Sequence, residues 1–425
     1  MQRLSLLLLS LLALFASPAL SAAEPGAELR ISLLTMGPGQ HPFTKFGHSA
    51  IWVHDAATQH DEVYNYGTFA FNSPTLLLDS VEGKLPYWLS VQSMSSTLRV
   101  YRGQGRSLVA SELELTAAER ASLHAALREN ARPEHRYYRY DYYRDNCSTR
   151  VRDIVDNAIG GRMRQAKAEP ASMGYRAHTQ RLVADGPLLY AGLNLAVGRE
   201  TDVQPSFFDE AWLPERLHAL FEQTRVGHDG QTLPLIRSER TLLTSSFAEP
   251  RSSPPHWTGY YAALGLTLGM SLFGLGRAVR SGHRALAAML GALYGILGTT
   301  LGLLGCALCY LTFFSAHSAA ASNDNVLLLP PWLLALSVAG VGVMRRKAGA
   351  LRIVRWAALG ALLTSVVALL MHALRPIPQG NWQELAVALP LWSGVVLSTW
   401  QTSFGANTTK PLTLRGAPES GVERS

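Results

Sequence analysis

From Trp257 onward the sequence is no longer that of a protein surrounded by water. Apolar runs occupy residues 257–275, 285–314, 326–344, 356–374 and 385–400. About 20 apolar residues in a helix cross the hydrocarbon core of a bilayer, and all but the last run, which is marginal, come close to that length or exceed it. The connecting loops sort by charge. Arg277, Arg280 and Arg284 occupy the first, and Arg345, Arg346, Lys347, Arg352 and Arg355 the third. The second, 315–325, carries no Lys or Arg, the fourth only Arg375, and Lys410, Arg415 and Arg424 follow the last run. Basic loops stay on the cytoplasmic side, so the alternation predicts five spans with everything before them outside the cytoplasm. Trp257, Tyr260, Tyr261, Trp332, Trp382 and Trp400 near the span ends suit an aromatic belt.

The other end of the chain points the same way. Arg3, an apolar stretch over 4–15 and small residues over 18–23 read as a secretory signal cleaved after Ser21 or Ala23. Expected boundaries are therefore a signal peptide at 1–23, a periplasmic domain at 24–241, a Ser/Pro-rich linker at 242–256, a transmembrane domain of about five helices at 257–405 and a cytoplasmic tail at 406–425. The net charge of +7 would suit nucleic acid, but much of the basic excess lies in the short membrane loops. No phosphate loop or nucleic-acid motif accompanies it, and no nucleic-acid partner is expected.

The exported part mixes strands and helices. Residues 28–36, 46–53 and 62–71 read as strands, the last two joined by a polar turn as a hairpin. Residues 98–102 and 107–115 read as further strands. Thr116 with Glu119 makes a capping box for a helix reaching Asn130. A Tyr-rich strand follows at 137–143, then a helix whose buried stripe includes Val151, Ile154 and Val155. Residues 170–186 read as loop, 188–197 as an apolar segment and 212–224 as a helix entered through Pro214.

One cysteine, Cys147, lies in this domain; Cys306 and Cys309 fall in an apolar run, where one helical turn of spacing suggests small packing residues. In an oxidising compartment an unpaired thiol points to function rather than to a structural disulfide. Asp145 or Asn146 would cap the helix, placing Cys147 in its first turn, where backbone amides and the helix dipole favour thiolate. His48, opening a strand after Gly47, is the candidate base. Its orienting partner stays open among Asn65, Tyr64 and Tyr66, with Asp61, Glu62 and Glu82 behind them. The Asn146 or Cys147 amide is a candidate oxyanion donor, Tyr66 a candidate for substrate contact, and Arg150 and Arg152 candidates for lipid phosphate, against the plainer reading of helix ion pairs. His41, His48, His54 and His60 lack a recognised ligand spacing, so no metal and no cofactor is expected. His372, within a span, is an ionisable group of the kind that often serves function.

The segments FTKFGHSAIWV, DEVYNYGTFAF, EGKLPYWL and YDYYRDNCSTRVRDI, in that order, resemble the DUF4105 family, the bacterial lipoprotein N-acyltransferase type called Lnb. The resemblance covers roughly residues 29–220. It implies an α+β papain-like fold of the permuted NlpC/P60 type, followed here by an all-α transmembrane helical bundle. It further implies His48 as base and Cys147 as nucleophile. An acyl chain would pass from phospholipid to Cys147 and on to the N-terminal cysteine α-amine of diacylated lipoproteins. The expected place is the bacterial inner membrane, multi-pass, with the catalytic domain facing the periplasm. Two other readings compete: a cysteine peptidase or amidase acting on cell-wall peptides, and a non-catalytic envelope protein.

Overall fold

A computed structural model describes residues 24–70, 74–228 and 230–402. The signal peptide expected at 1–23 and the tail expected at 406–425 lie outside the described residues. The chain divides into two compact units, and the division is not a single cut. Residues 24–76, 85–173 and 204–250 form the first unit, while 77–84 and 174–203 belong with 251–402. The expected boundary at the 242–256 linker follows the chain and misses these two excursions.

The first unit is built on a seven-stranded sheet of order β6-β4-β3-β2-β1-β5-β9. Its strands are β1 (Leu29–Met36), β2 (His48–Asp55), β3 (His60–Thr68), β4 (Pro86–Gln92), β5 (Leu108–Leu113), β6 (Tyr137–Arg139) and β9 (Ile236–Leu243), and every pairing is antiparallel. A small hairpin of β7 (Arg225–His228) and β8 (Gln231–Pro234) stands beside it. Alternation along the strands divides the apolar side chains. Ile31, Leu33, Ile51, Val53, Tyr64 and Tyr66 share one core with Val151, Val155 and Leu217; Leu34, Met36, Ala50, Val63 and Ala110 share another with Met94. The helices are α1 (Met94–Gly103), α2 (Ala117–Asn130), α3 (Cys147–Ala158) and α4 (Pro214–Gln223).

Several expectations change. Residues 98–102 are helical, because Ser93 caps a helix there by accepting from Ser96 N–H, and Met94, Leu98 and Tyr101 fall at helical spacing onto the second core. The Tyr-rich strand is short, ending at Arg139. Residues 170–186 include a helix, Tyr175–Leu182. β9 runs into the expected linker and completes the edge beside β5. The Thr116 capping box forms as read.

The second unit carries α5 (Thr258–Val279), α6 (Arg284–Phe313), α7 (Ala335–Met344), α8 (Ala348–Leu374) and α9 (Trp382–Gln401). Among the described residues four segments are long and apolar enough to cross a membrane: Thr258–Val279, Arg284–Phe313, Asp324–Met344 and Ala348–Leu374. The fifth helix, α9, is 20 residues long with Pro390 inside it, and it packs on α5 through glycine. A Cβ on Gly394 would sit 2.2 Å from Gly269 O, and one on Gly269 would sit 2.4 Å from Pro390 O. Apolar helices surrounded by lipid gain little from burying more apolar surface, so backbone proximity of this kind is what holds them together. Cys306 is exposed rather than packed at a helix interface, which its one-turn spacing from Cys309 did not reveal. His372 meets Asn381 Oδ1 at 2.9 Å and lies against the Trp382 ring.

Replacing Gly394 with Leu should force α5 and α9 apart and cost about 1–3 kcal/mol of overpacking strain. Thermal unfolding of the detergent-solubilised chain would show it as a lower midpoint, while a substitution at Gly274, whose Cβ would meet open space, should leave the midpoint nearly unchanged.

Candidate active site

The site begins with a helix cap. Asn146 Oδ1 accepts from the Ser148 and Thr149 amides at 2.8 and 3.0 Å, and its own amide donates to Thr149 Oγ1 at 2.7 Å. Its Nδ2 donates to Tyr142 O at 2.8 Å and to Trp212 O at 2.9 Å. The first amides of a helix lack internal acceptors. Here the cap takes those of Ser148 and Thr149, Arg150 N–H reaches Asn146 O, and among the described residues the Cys147 amide meets no acceptor. Asn146 is therefore committed to holding the helix. The expected oxyanion role cannot fall on its amide, and its 4% exposure removes its side chain from substrate.

Cys147 opens α3, 7% exposed, within the core cluster that also holds Val151 and Val155. Two contacts fix it against the sheet. Ser148 Oγ and Ser49 Oγ hydrogen-bond at 3.0 Å, tying the helix to the residue after His48. Gly67 on β3 provides clearance: a Cβ there would lie 3.7 Å from Cys147 Cβ and 3.1 Å from Tyr140 Cε2, and its φ of +86° favours glycine in any case. Neither Ser49 nor Gly67 stood out in the sequence, because only the sheet register brings them to position 147.

His48 reaches the sulfur. Burial pushes the Cys147 thiol up, but the His48 charge and hydrogen bond, the Ser49 backbone and the Ser148 hydroxyl outweigh it and bring it down to about 7. His48 is itself positioned by a close approach. Gly47, at φ +80°, would put a Cβ 2.8 Å from Met36 O, and Met36 is the strand partner of His48.

The other expected residues are elsewhere. Tyr64, 1% exposed, donates to Glu62, which also meets His124 at 2.8 Å. Tyr66, 2% exposed, accepts from Asn130 Nδ2 and is a core ring, closed to substrate. Asn65 Nδ2 donates back to Val63 O. Asp61 accepts from Trp52 and His54, and Glu82 belongs to the other unit. Among the described residues no orienting hydrogen bond to His48 comes from any of these. Arg150 forms a two-point ion pair with Asp145 and stacks on Tyr138 at 4.1 Å. Arg152 holds Asp153 and Phe208 O. Both arginines thus have the structural role, and Asp145 is the partner that the helix-spacing argument missed.

Aromatic rings extend from the thiol toward the surface of the unit. Tyr140 stacks on Tyr87 at 4.2 Å, Tyr87 meets Phe69 at 5.2 Å, Phe69 meets Phe43 at 5.4 Å, and Phe43 is 43% exposed. Burial raises Tyr140 and Tyr138 well above the ordinary phenol range, so both are neutral beside the sulfur.

Family models match two stretches of the chain. That of the Lnb N-terminal periplasmic domain covers residues 18–186, and that of the Lnb transmembrane domain covers 267–401. Together they support an Lnb-type family and a membrane protein with a periplasmic N-terminal domain. No curated protein and no solved structure matches.

Two outcomes follow from the geometry. Removing the cap by Asn146→Ala strips the Ser148 and Thr149 amides and the buried Trp212 carbonyl of this partner and should cost about 2–4 kcal/mol, read as a lower midpoint in denaturant. Alkylation of Cys147 by iodoacetamide, located by peptide mass spectrometry, should rise with pH through a midpoint near 7, and His48→Gln should move that midpoint upward.

Proposed function

We propose that this Lnb-type membrane protein is a cysteine-dependent acyltransferase that N-acylates lipoproteins. The observation that carries the reading is a buried cysteine opening a helix with His48 beside it, which brings the thiol down to about 7, inside the stretch matched by the periplasmic-domain model. The matched transmembrane domain favours a substrate drawn from the bilayer. We place the protein in the bacterial inner membrane with the pair on the periplasmic side.

The chemistry runs in two balanced steps. His48 takes the Cys147 proton, and the sulfur attacks the carbonyl carbon of an acyl ester. The oxyanion forms beside the leftover Cys147 amide, the ester C–O bond breaks, and His48 returns the proton to the leaving alkoxide. The product is an alcohol, and the chain is held as a thioester. The α-amine of the lipoprotein's N-terminal cysteine then attacks that carbonyl. His48 accepts the amine proton, the C–S bond breaks, and an amide departs from the restored sulfur. Thioesters react readily with amines, and the rings of Tyr140, Tyr87 and Phe69 offer an apolar surface for the chain.

The donor in this reading is phospholipid. A diacyl lipopeptide carries esters of its own, so the assay needs both arms. Full-length protein is given labelled phospholipid with an unlabelled diacyl lipopeptide, or the reverse. Transfer of label to the peptide amine should occur in the wild type and vanish in Cys147→Ala, and an acyl mass should be found on Cys147 before acceptor is added. Undiminished transfer by Cys147→Ala would refute the nucleophile. Label arriving only from the lipopeptide would replace the donor and keep the mechanism.

A further inference from the structure

The start of α9 holds two buried acceptors that are not satisfied within the chain. Glu384 is 8% exposed and Gln383 7%. Glu384 Oε1 accepts from Asn194 Nδ2, and Gln383 Nε2 donates to Tyr190 OH at 2.9 Å. Among the described residues Glu384 Oε2 and Gln383 Oε1 have no hydrogen-bond partner. Tyr190 and Asn194 stand four residues apart on the Pro187–Ala196 helix, about 6 Å along its axis. Two adjacent side chains of α9 therefore reach the same face of one helix, and each keeps one oxygen unused there.

Charge decides what those oxygens call for. The two cations nearby are already matched: Arg176 meets Asp202 through two nitrogens, and Arg375 meets Asp324. Arg176 is joined to Glu384 only through Asn194, whose Oδ1 it meets at 3.4 Å. Among the described residues no cation lies at ion-pair distance from Glu384. A buried carboxylate with an unmet oxygen is costly. A group that completes the cluster brings N–H donors and positive charge and needs no acceptor, which describes an ammonium. An aromatic face is present too: Tyr190 packs on Trp257 with ring centres 4.7 Å apart, and such faces attract ammonium groups. Trp257 is half-buried and Trp382, next to Gln383, is 53% exposed, so the cluster adjoins the surface. Glu384 is the third residue of α9 and follows the loop at 375–381, whose single basic residue is Arg375. Loop charge puts that end of the helix on the side away from the cytoplasm, at the level of lipid headgroups.

We infer that Glu384, Gln383 and Tyr190 form a binding site for a primary ammonium group at the outer end of the membrane unit. The ammonium donates to Glu384 Oε2 and Gln383 Oε1, balances the carboxylate and lies against the Tyr190 ring. A trimethylammonium group has the same charge but no N–H, so it leaves both oxygens unmet. Two lipid-linked molecules offer the right chemistry: an ethanolamine phospholipid through its headgroup, and a diacyl lipopeptide through its α-amine. The site makes no use of Cys147 and stands or falls apart from the acyltransferase reading.

Native mass spectrometry of the full-length, detergent-solubilised protein tests it with two matched pairs of probes. Dioleoyl phosphatidylethanolamine is compared with dioleoyl phosphatidylcholine, and a diacyl lipopeptide with a free α-amine is compared with the same peptide N-acetylated. In the wild type the primary amine of at least one pair should bind about tenfold more tightly than its counterpart, the worth of a charge-assisted hydrogen bond. Glu384→Gln keeps the oxygen that Asn194 uses but loses the charge, and should abolish the preference. A preference in the phospholipid pair assigns the site to a lipid headgroup, and one in the lipopeptide pair assigns it to an acceptor amine. No preference in either pair, the result if water alone satisfies the two oxygens, would overturn the inference, as would a preference that survives in Glu384→Gln. The wild type also gives an answer by itself, should Glu384→Gln fail to fold. A membrane-permeant carbodiimide condenses a carboxylate with an amine in contact with it, so peptide mass spectrometry should find an amide of the bound amine on Glu384. Absence of that amide with both amines would likewise overturn the inference.

Discussion

The hydrogen bonds of Asn146 decide where everything else at the site can be. One carboxamide fills both amides that α3 leaves open after Cys147, and its nitrogen reaches two carbonyls from different parts of the chain, Tyr142 and Trp212. The helix start is thereby fixed to a single residue rather than to within a turn. That matters because the helix-end field acts over the first turn only. Moving the start by one residue would rotate the sulfur by about 100°, away from β2 and His48. An Asn beside a buried cysteine invites a chemical role, but here its side chain is spent on fixing where that cysteine stands.

The charges around the site are arranged by exclusion. Asp145 is engaged by Arg150, Glu62 by Tyr64 and His124, and Glu210 by Ser172 and Arg216. The groups beside the sulfur are a histidine, the Ser148 hydroxyl and neutral tyrosines. A carboxylate near the thiol would have raised its pKa and competed for the charge of His48. Tyrosine serves as a wall because burial keeps it neutral while its ring gives an apolar surface. The same rings exclude water, which strengthens every electrostatic effect on the sulfur.

The Cys147–His48 pair was legible in the sequence because each residue carries a local signal: a capped helix for one, a strand opening after glycine for the other. The residues misread were those whose roles depend on which strand face they occupy or where a side chain turns. Tyr64 and Tyr66 alternate into the core, and Asn65 folds back onto Val63 O. Residues 98–102 read as a strand from five residues, too short a window to reveal the helical spacing of Met94, Leu98 and Tyr101. β9 hid in a Ser/Pro-rich stretch because an edge strand that is largely exposed need not be apolar. Ser49 and Gly67 carry no local signal at all. Their proximity to Cys147 is set by pairings between distant strands, which the local pattern does not encode.

The second unit argues against treating its helices as a passive anchor. Residues 174–203, far earlier in the chain, are bound into it by polar groups that are almost fully buried. Arg176 meets Asp202 through two nitrogens and caps the carbonyls of Asn194, Val197 and Gly198. Asn194 donates to Glu384 at the start of α9, while Asn323 and Asn325 donate to the carbonyls of residues 194–196. An anchor needs only apolar length, and buried polar groups are costly unless each finds a partner. Glu384 Oε2 is left without a partner, but the bonds that are made tie the Tyr175–Leu182 and Pro187–Ala196 helices to the start of α9. Residues 174–203 thus build a polar cap on the chain's own apolar helices. That cap explains why no single boundary separates the part that lives in water from the part that lives in lipid.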